Sequence, residues 1–329
     1  MYRYLSAAFF AFASASVLAG CSLPGVTGPA PGAGAQAGAR PAKSAQEIVV
    51  PFSLSKSLGT FDATTGKRLT LISGKKTRLS GPLGATTDAE GNVYVSGSGT
   101  ALGVYEYAAG ASGNAAPIAF DKGLTADGLA GDGAHVYIAD QYTGEISEYA
   151  ADPLGSTPIA TLSGKKTTLC AAIGIAVDSK GDLFVTQQGF GTNCTNDVLE
   201  FAPLAPGAQN VAPIRTIAGS KTLVNEPEGI AVDANGNVYV ADEDDGMVLE
   251  FGGSQNGNAK PAATFGAGDY GYAGVAVDSS NVLYAAAPNA TDVNGQIDLF
   301  DATKPSAKPT KTYKIGAKKG QRDPLLIAL

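Results

Sequence analysis

Residues 229–242 read GIAVDANGNVYVAD, and variants of this phrase recur along the 329-residue chain. The other copies are GATTDAEGNVYVSG at 84–97, GLAGDGAHVYIAD at 128–140, GIAVDSKGDLFVTQ at 174–187 and GVAVDSSNVLYAAA at 274–287. Their first glycines lie 44 to 55 residues apart. A repeat of this length, with turn residues at fixed offsets, is typical of a propeller or a solenoid.

Each copy places two short apolar runs around a polar turn, as in the VYV at 238–240 that follows the turn at 233–237. This pattern predicts a β-hairpin. Two further strand-like runs follow in each unit, for example GMVLEFGG at 246–253 and KPAATFGAG at 260–268, with no helix-period segment between them. Four antiparallel strands per unit predict propeller blades.

The two ends of the chain predict how the ring closes. The segment DPLLIAL at 323–329 aligns with EPEGIAV at 226–232, which is a first strand. Residues 47–74 supply a second, third and fourth strand with no first strand before them. We therefore predict an all-β, six-bladed β-propeller closed by the C-terminal strand, because closure hides sheet edges that an open array would expose.

The repeats resemble those of NHL-repeat and related six-bladed propellers, whose units follow G-[IV]-A-[VL]-D-x-x-G-x-[IV]-Y-V-[AT]-D. The resemblance covers residues 46–329 and implies the propeller fold. It leaves the function open, because this group includes lactone hydrolases, lyases and binding scaffolds. Its gluconolactonase-like members imply a central divalent ion held by a Glu, an Asn and an Asp from separate blades.

The first residues, MYRYLSAAFFAFASASVLAGC at 1–21, have one basic residue, an apolar stretch and small residues before a cysteine, as a secretory signal does. The closing LAGC resembles the lipobox of bacterial lipoproteins, which implies cleavage before Cys21 and a lipid on its sulfur. An ordinary signal cleaved elsewhere is the alternative. By the same resemblance, Ser22 fits retention at the outer membrane if the host is Gram-negative.

Residues 22–46 are nearly all Ala, Gly and Pro, which predicts a flexible linker because such a segment cannot bury a core. The predicted organisation is a signal peptide at 1–20, a lipid-anchored linker at 21–46 and the propeller at 47–329. The chain thus has a predicted place in the cell envelope, attached to a lipid membrane.

Charge argues against nucleic acid as a partner. The chain has 23 basic and 30 acidic residues, and three of the basic ones, Arg3, Arg40 and Lys43, precede the first carboxylate. The predicted propeller therefore carries a net charge of −10. Such a body repels phosphate backbones.

The long, variable loops are predicted to lie on one face of the ring, where strand two connects to strand three and strand four to the next blade. We call this the upper face and the opposite one the lower face. The carboxylates there that are candidates for binding a ligand or a hard cation such as calcium are Glu226, Glu228, Asp242, Glu243, Asp244 and Asp245. A solvated acidic rim is the alternative. In the repeat pattern, Asp242 and its counterpart Asp140 end the second strand, which indicates a structural role for both residues.

Two further groups are predicted on the upper face. Aromatic candidates for stacking on a sugar or filling a partner's pocket are Tyr142, Phe190, Tyr270 and Tyr272, with ordinary packing as the alternative. Cys170 and Cys194 flank one blade on this face, and export favours a disulfide between them over two free thiols.

The sequence favours binding over catalysis. It contains no G-x-S-x-G motif, and its one histidine cannot supply the several that lyases of this fold use. We therefore predict a non-catalytic scaffold that binds an envelope protein or a small ligand. No cofactor is expected, and calcium is the one ion that the acidic loops could bind. The alternative is a divalent-metal-dependent lactone or ester hydrolase of gluconolactonase type.

Overall fold

The repeated phrase forms an antiparallel hairpin whose turn is organised by its aspartate. In the computed structural model, Oδ1 of Asp233 accepts hydrogen bonds from the backbone N–H groups of Asn235 and Asn237, both at 2.9 Å. Its Oδ2 accepts from the hydroxyl of Tyr239 at 3.3 Å. Asp278 and Tyr284 repeat this bond at 3.1 Å. The Asp and Tyr of the motif are thus partners that fix the hairpin.

The structure describes residues 46–98, 102–151, 153–189, 194–268, 271–288, 295–315 and 326–329. These form six sheets, which we number as blades in chain order. The first strands of blades 2 to 6 are β4 (Pro82–Thr87), β8 (Ala126–Gly131), β12 (Ala172–Val177), β17 (Pro227–Val232) and β21 (Gly274–Val277). The second strands of blades 1 to 6 are β1 (Glu47–Phe52), β5 (Val93–Gly97), β9 (His135–Asp140), β13 (Leu183–Gln187), β18 (Val238–Asp242) and β22 (Val282–Ala287).

The outer strands complete each blade. The third strands are β2 (Ser57–Asp62), β6 (Gly103–Tyr107), β10 (Glu145–Ala150), β14 (Asp197–Phe201), β19 (Met247–Phe251) and β23 (Gln296–Asp301). The fourth strands are β3 (Arg68–Ser73), β7 (Ala119–Lys122), β11 (Ala160–Leu162), β16 (Arg215–Ala218), β20 (Ala263–Phe265) and β24 (Lys311–Lys314). A short extra strand, β15 (Gly207–Gln209), pairs in parallel with β11, and one 3-10 turn spans Lys75–Thr77.

The C-terminal segment closes the ring, as predicted. The N–H of Val49 in β1 donates to the carbonyl of Ala328 at 2.8 Å, and the N–H of Ala328 donates back at 3.2 Å. Leu326 forms a parallel bridge with Gly84 of blade 2. Ile327 is 8% exposed and packs into the core between blades 1 and 6. The last residues therefore complete blade 1 and join it to both of its neighbours.

The core consists of apolar side chains between successive blades. Phe184 and Val198 of blade 4, for example, pack against Ile230 and Val240 of blade 5. The described ranges contain no α-helix, and none of their helical turns is long and apolar enough to cross a membrane. The fold is thus all-β, in agreement with the prediction.

Glycines of the first strands bring the blades together at the axis. A Cβ atom on Gly84, Gly128, Gly174 or Gly229 would lie less than 3.0 Å from a backbone carbonyl oxygen of the next blade. Only glycine permits this approach. As a result, the central channel at this level is a space of about 20 Å³ lined by the first strands of blades 3 to 6 and by Leu326 and Ile327. A ligand on the channel axis must therefore bind above or below this constriction.

Candidate functional site

Carboxylates from two blades meet at the upper mouth of the central channel. Asp127 of blade 3 and Glu228 of blade 5 directly precede glycines that line the constriction, so both stand on its upper side. Glu243 comes from the loop between β18 and β19 and forms a hydrogen bond with the Glu228 carboxyl group. These three carboxyl groups form what we call the mouth cluster.

The backbone of the mouth cluster is fixed by hydroxyl groups of the preceding blades. Ser96 Oγ in blade 2 donates to the carbonyl of Asp127 at 3.0 Å. Thr186 Oγ1 in blade 4 donates to the carbonyl of Glu228 at 2.5 Å. The same arrangement therefore positions both acidic residues, each one held by a strand-two hydroxyl across the blade boundary.

Burial and the charges of neighbouring carboxylates raise the pKa values of Glu228 and Asp127. The pKa of Glu228 is raised well above its ordinary value, mainly by burial and then by the charge of Glu243 and its hydrogen bond. Asp127 adds to this rise in the pKa of Glu228 across the channel. Burial, followed by the charge of Asp140, raises the pKa of Asp127 to about 7. Among the described residues, no lysine, arginine or histidine forms an ion pair with the mouth cluster.

The remaining acidic candidates divide into a buried residue and exposed ones. Asp242 is fully buried, and its carboxylate accepts hydrogen bonds from the backbone N–H groups of Asn225 at 2.7 Å and of Asp245 at 3.3 Å. It thus holds the loop together and is not available to a ligand. Asp244 and Asp245 are exposed on the rim, where Asp244 accepts from the Asn225 side chain at 2.6 Å.

Glu226 lies beside the mouth cluster. Burial raises its pKa, and the charges of Asp244, Glu243 and Asp242 add to the rise. The structure therefore brings Glu226, Glu228 and Glu243 into one negative region, to which Asp127 belongs as well.

The aromatic candidates do not form a common surface. Tyr142 is 77% exposed in the loop after β9. Tyr272 is only 3% exposed, packs against Phe300, and donates its hydroxyl hydrogen to Asp298 at 2.9 Å. It is a core residue and does not present its ring to a ligand. Phe190 and Tyr270 lie outside the described residues, as does Cys21.

Cys170 and Cys194 form the predicted disulfide, which decides against two free thiols. Their Cα atoms lie 5.9 Å apart, and the bond joins the entry of β12 to the entry of β14. The disulfide thus ties these two strand entries together on the upper face of blade 4.

We expect the Cys170→Ser/Cys194→Ser double variant to be less stable than the parent by about 3 kcal/mol, because the unfolded chain gains the entropy of an open loop. Urea unfolding followed by circular dichroism measures this change. A dithiothreitol-treated parent should match the variant, and equal unfolding midpoints for the variant and the oxidised parent would show that the bond does not constrain the unfolded chain.

Within the described ranges, no group of three or more His, Cys, Asp or Glu side chains has an arrangement that could hold a metal ion. The mouth cluster contains no asparagine and therefore differs from the Glu, Asn and Asp set that gluconolactonase-like propellers imply.

Asp127 was missed in the analysis of the sequence. It precedes the first glycine of GLAGDGAHVYIAD as Glu228 precedes that of GIAVDANGNVYVAD, so the aligned repeats contained the signal. The pairing of blades 3 and 5 was not visible, because 101 positions separate the two residues and only ring closure brings them together.

Comparison with known proteins identifies the class. The family model of the NHL repeat matches residues 224–251. Together with the closed ring of six sheets, this match makes the chain a six-bladed β-propeller that carries an NHL repeat. A search of curated proteins by sequence found no match.

Solved propellers resemble the structure over most of its length. A protein of unknown function from Bacteroides caccae has a TM-score of 0.59 at 15% identity, covering 87% of this chain and 98% of its own. A structure from the nidogen/laminin complex gives 0.57 at 13%, with 86% and 97% covered. The WD40 β-propeller domain of Doa1 gives 0.55 at 10%, with 82% and 79% covered. At these identities the likeness concerns the fold alone.

Proposed function

We propose that this protein is an exported, lipid-anchored binding propeller whose upper mouth binds a cationic group of an envelope partner or small ligand. The observation that carries the proposal is the mouth cluster, in which the charges of Glu243 and Asp127 both raise the pKa of Glu228 and no described basic residue forms an ion pair with the three groups. A bound cation would relieve this repulsion. The NHL-type fold supports a scaffold or binding role.

Two further observations support a binding role at this face. The disulfide ties two upper segments of blade 4 to each other, and the Asp242 hydrogen bonds hold the loops of blade 5, which lowers the entropic cost of binding. One of the similar propellers was solved in the nidogen/laminin complex, so this fold occurs in protein complexes. The comparison with the nidogen/laminin complex rests on similarity of fold alone.

A basic peptide tests the mouth as a binding site. We expect hexalysine to bind the full chain with an affinity that rises between pH 5.5 and pH 8, because the carboxyl groups must ionise to attract it. The Glu228→Gln/Glu243→Gln variant should bind at least 10-fold more weakly in isothermal titration calorimetry.

The matched control is Glu47→Gln/Glu90→Gln, which removes the same charge from the lower face. It should bind hexalysine like the parent. If both double variants weaken binding equally, the peptide responds to net charge and the mouth is not the site.

Calcium chloride serves as a second probe of the same cluster. We expect no saturable 1:1 uptake, because the carboxyl groups among the described residues do not have an arrangement that could hold a metal ion. Saturable calcium binding that disappears in Glu228→Gln/Glu243→Gln, with turnover of a lactone, would replace the proposal by the metal-dependent hydrolase.

The anchor has its own test. We expect Cys21→Ala to move the protein from the membrane fraction to the soluble fraction, because the lipid on the Cys21 sulfur would be its attachment. Fractionation with immunodetection measures the ratio. Ser22→Ala is the matched control and should stay with the membranes. Retention of Cys21→Ala on membranes would contradict the lipid anchor without affecting the binding proposal.

A further inference from the structure

The gap between blades 5 and 6 contains a cavity of about 320 Å³ on the lower half of the ring. This volume lies in the range of small-ligand pockets, about 300 to 1,000 Å³. The hairpin turn at 233–237 and the β23–β24 loop at 302–305 border it, and Tyr239 and Glu250 face it from β18 and β19.

The equivalent gap between blades 4 and 5 is filled by Arg215. Its Nε donates to the carboxylate of Glu200, and its Nη1 donates to the carbonyl of Gly253 at 2.9 Å and to that of Gly252 at 3.2 Å. The guanidinium carbon lies 5.6 Å from the centre of the Phe184 ring. Only 10% of the Arg215 side chain and 15% of the Glu200 side chain are exposed, so the pair is well shielded.

The strand registers align the two gaps residue by residue. In blade 4, Glu200 lies opposite Arg215, and in blade 5, Glu250 lies opposite Ala263. The aromatic residue of the second strand lies opposite the glutamate in both blades. Blade 5 therefore keeps the carboxylate and the aromatic ring but has alanine where blade 4 has the arginine. The cavity occupies the place of the missing side chain.

Other gaps are closed by the protein's own groups. Between blades 2 and 3, Glu106 Oε2 accepts from the N–H of Leu154 at 2.8 Å. Between blades 6 and 1, the Tyr313 hydroxyl donates to the carbonyl of Ala63 at 2.8 Å. In the part of the chain that the structure describes, no side chain donates to the Glu250 carboxylate, and the nearby Lys304 pairs with Asp301.

We propose that the cavity between blades 5 and 6 binds a guanidinium group, supplied by an arginine of a partner or by a small guanidinium compound, with Glu250 as its ion-pair partner. Tyr239 borders the cavity at the register position that Phe184 holds beside Arg215. The other carboxylate at the cavity, Asp233, already accepts bonds from its own turn. The site is separate from the upper mouth and does not depend on it.

The surroundings of Glu250 disfavour its ionised form as long as no cation lies beside it. Burial raises its pKa, and the charge of Asp233 adds to the rise. A guanidinium beside Glu250 would favour the ionised carboxylate, and Arg215 supplies that charge to Glu200 in blade 4.

Calorimetric titration of the full chain with agmatine and with the peptide Gly-Arg-Gly-amide at pH 7.5 tests the site. We expect 1:1 binding of at least one probe, weakened at least 10-fold by Glu250→Gln. Ala263→Arg should abolish binding by filling the cavity from within, and should also raise the urea midpoint. Glu90→Gln, which removes a charge from an exposed lower turn, is the matched control and should bind like the parent.

Agmatine and the peptide distinguish the two possible sources of the guanidinium group. Stronger binding of agmatine supports a small ligand, and stronger binding of the peptide supports a partner's arginine. The proposal is overturned if neither probe binds at millimolar concentration, or if Glu250→Gln binds as tightly as the parent. Should Ala263→Arg fail to fold, the Glu250→Gln arm decides alone.

Discussion

Deleting residues 326–329 should lower the free energy of unfolding by about 5 kcal/mol, the largest loss we expect from any short truncation of the described chain. Two backbone hydrogen bonds between Val49 and Ala328 disappear, at about 1 kcal/mol each. The buried side chain of Ile327 is lost as well, which costs about 2–4 kcal/mol. The inner edge of β1 becomes exposed to pairing with other chains.

Urea unfolding followed by circular dichroism measures this loss, and size-exclusion chromatography shows whether the opened ring associates. Ile327→Val is the graded control and should cost only about 1 kcal/mol, because the strand and its hydrogen bonds remain. Equal midpoints for the truncated and full chains would mean that the C-terminal strand does not close the ring.

Asp127→Asn should stabilise the protein at pH 8 and leave its stability nearly unchanged at pH 4. The pKa of Asp127 is about 7 in the folded chain, against an ordinary value of 3.8. Between these values the unfolded chain releases a proton that the folded chain retains, so folding loses stability as the pH rises from about 4 to 7. A shift of this size corresponds to at most about 4 kcal/mol, and we expect about 2 kcal/mol after local relaxation.

Unfolding midpoints at several pH values measure the effect. Glu228→Gln should behave in the same way, since the pKa of Glu228 is raised too, and the double variant should gain less than the sum because the two carboxylates repel each other. Glu90→Gln, in an exposed turn, should show no such pH dependence. A gain from Asp127→Asn that is as large at pH 4 as at pH 8 would rule out ionisation as its cause.

The sequence alone predicts the closing strand, but it does not predict the raised pKa of Asp127. The hairpins and the closing strand follow from local patterns, because the Asp233–Tyr239 motif bonds within one hairpin and the alternation at 326–329 matches that of other first strands. The disulfide was predictable for a similar reason, since the repeat places Cys170 and Cys194 on the same face of one blade.

The mouth cluster and the burial of Tyr272 depend on contacts that no local pattern records. Glu228 was a candidate, but its repulsion with Asp127 arises only when blades 3 and 5 face each other across the channel. Tyr272 looked like a rim residue because it sits in a long loop, yet its ring packs on Phe300 and its hydroxyl reaches Asp298. Loop position alone does not determine where a side chain points.

The inference of a binding site beside Glu250 needed both the repeat pattern of the sequence and the contacts in the structure. The repeat shows that Ala263 stands in the place of Arg215, but only the structure shows what that arginine contacts. Comparison of blades within one chain thus indicates a ligand chemistry at a position where the protein's own side chain is missing.

Carboxyl carbon NMR of the mouth cluster, with and without hexalysine, tests the proposed binding role most directly. Asp127, assigned by the signal lost in Asp127→Asn, should titrate near pH 7 in the free protein. With the peptide bound, its pKa should fall by at least one unit, because a nearby positive charge favours the ionised form. A pKa near 4 in the free protein, or a value that the peptide does not change, would contradict the assignment of the upper mouth as a cation-binding site.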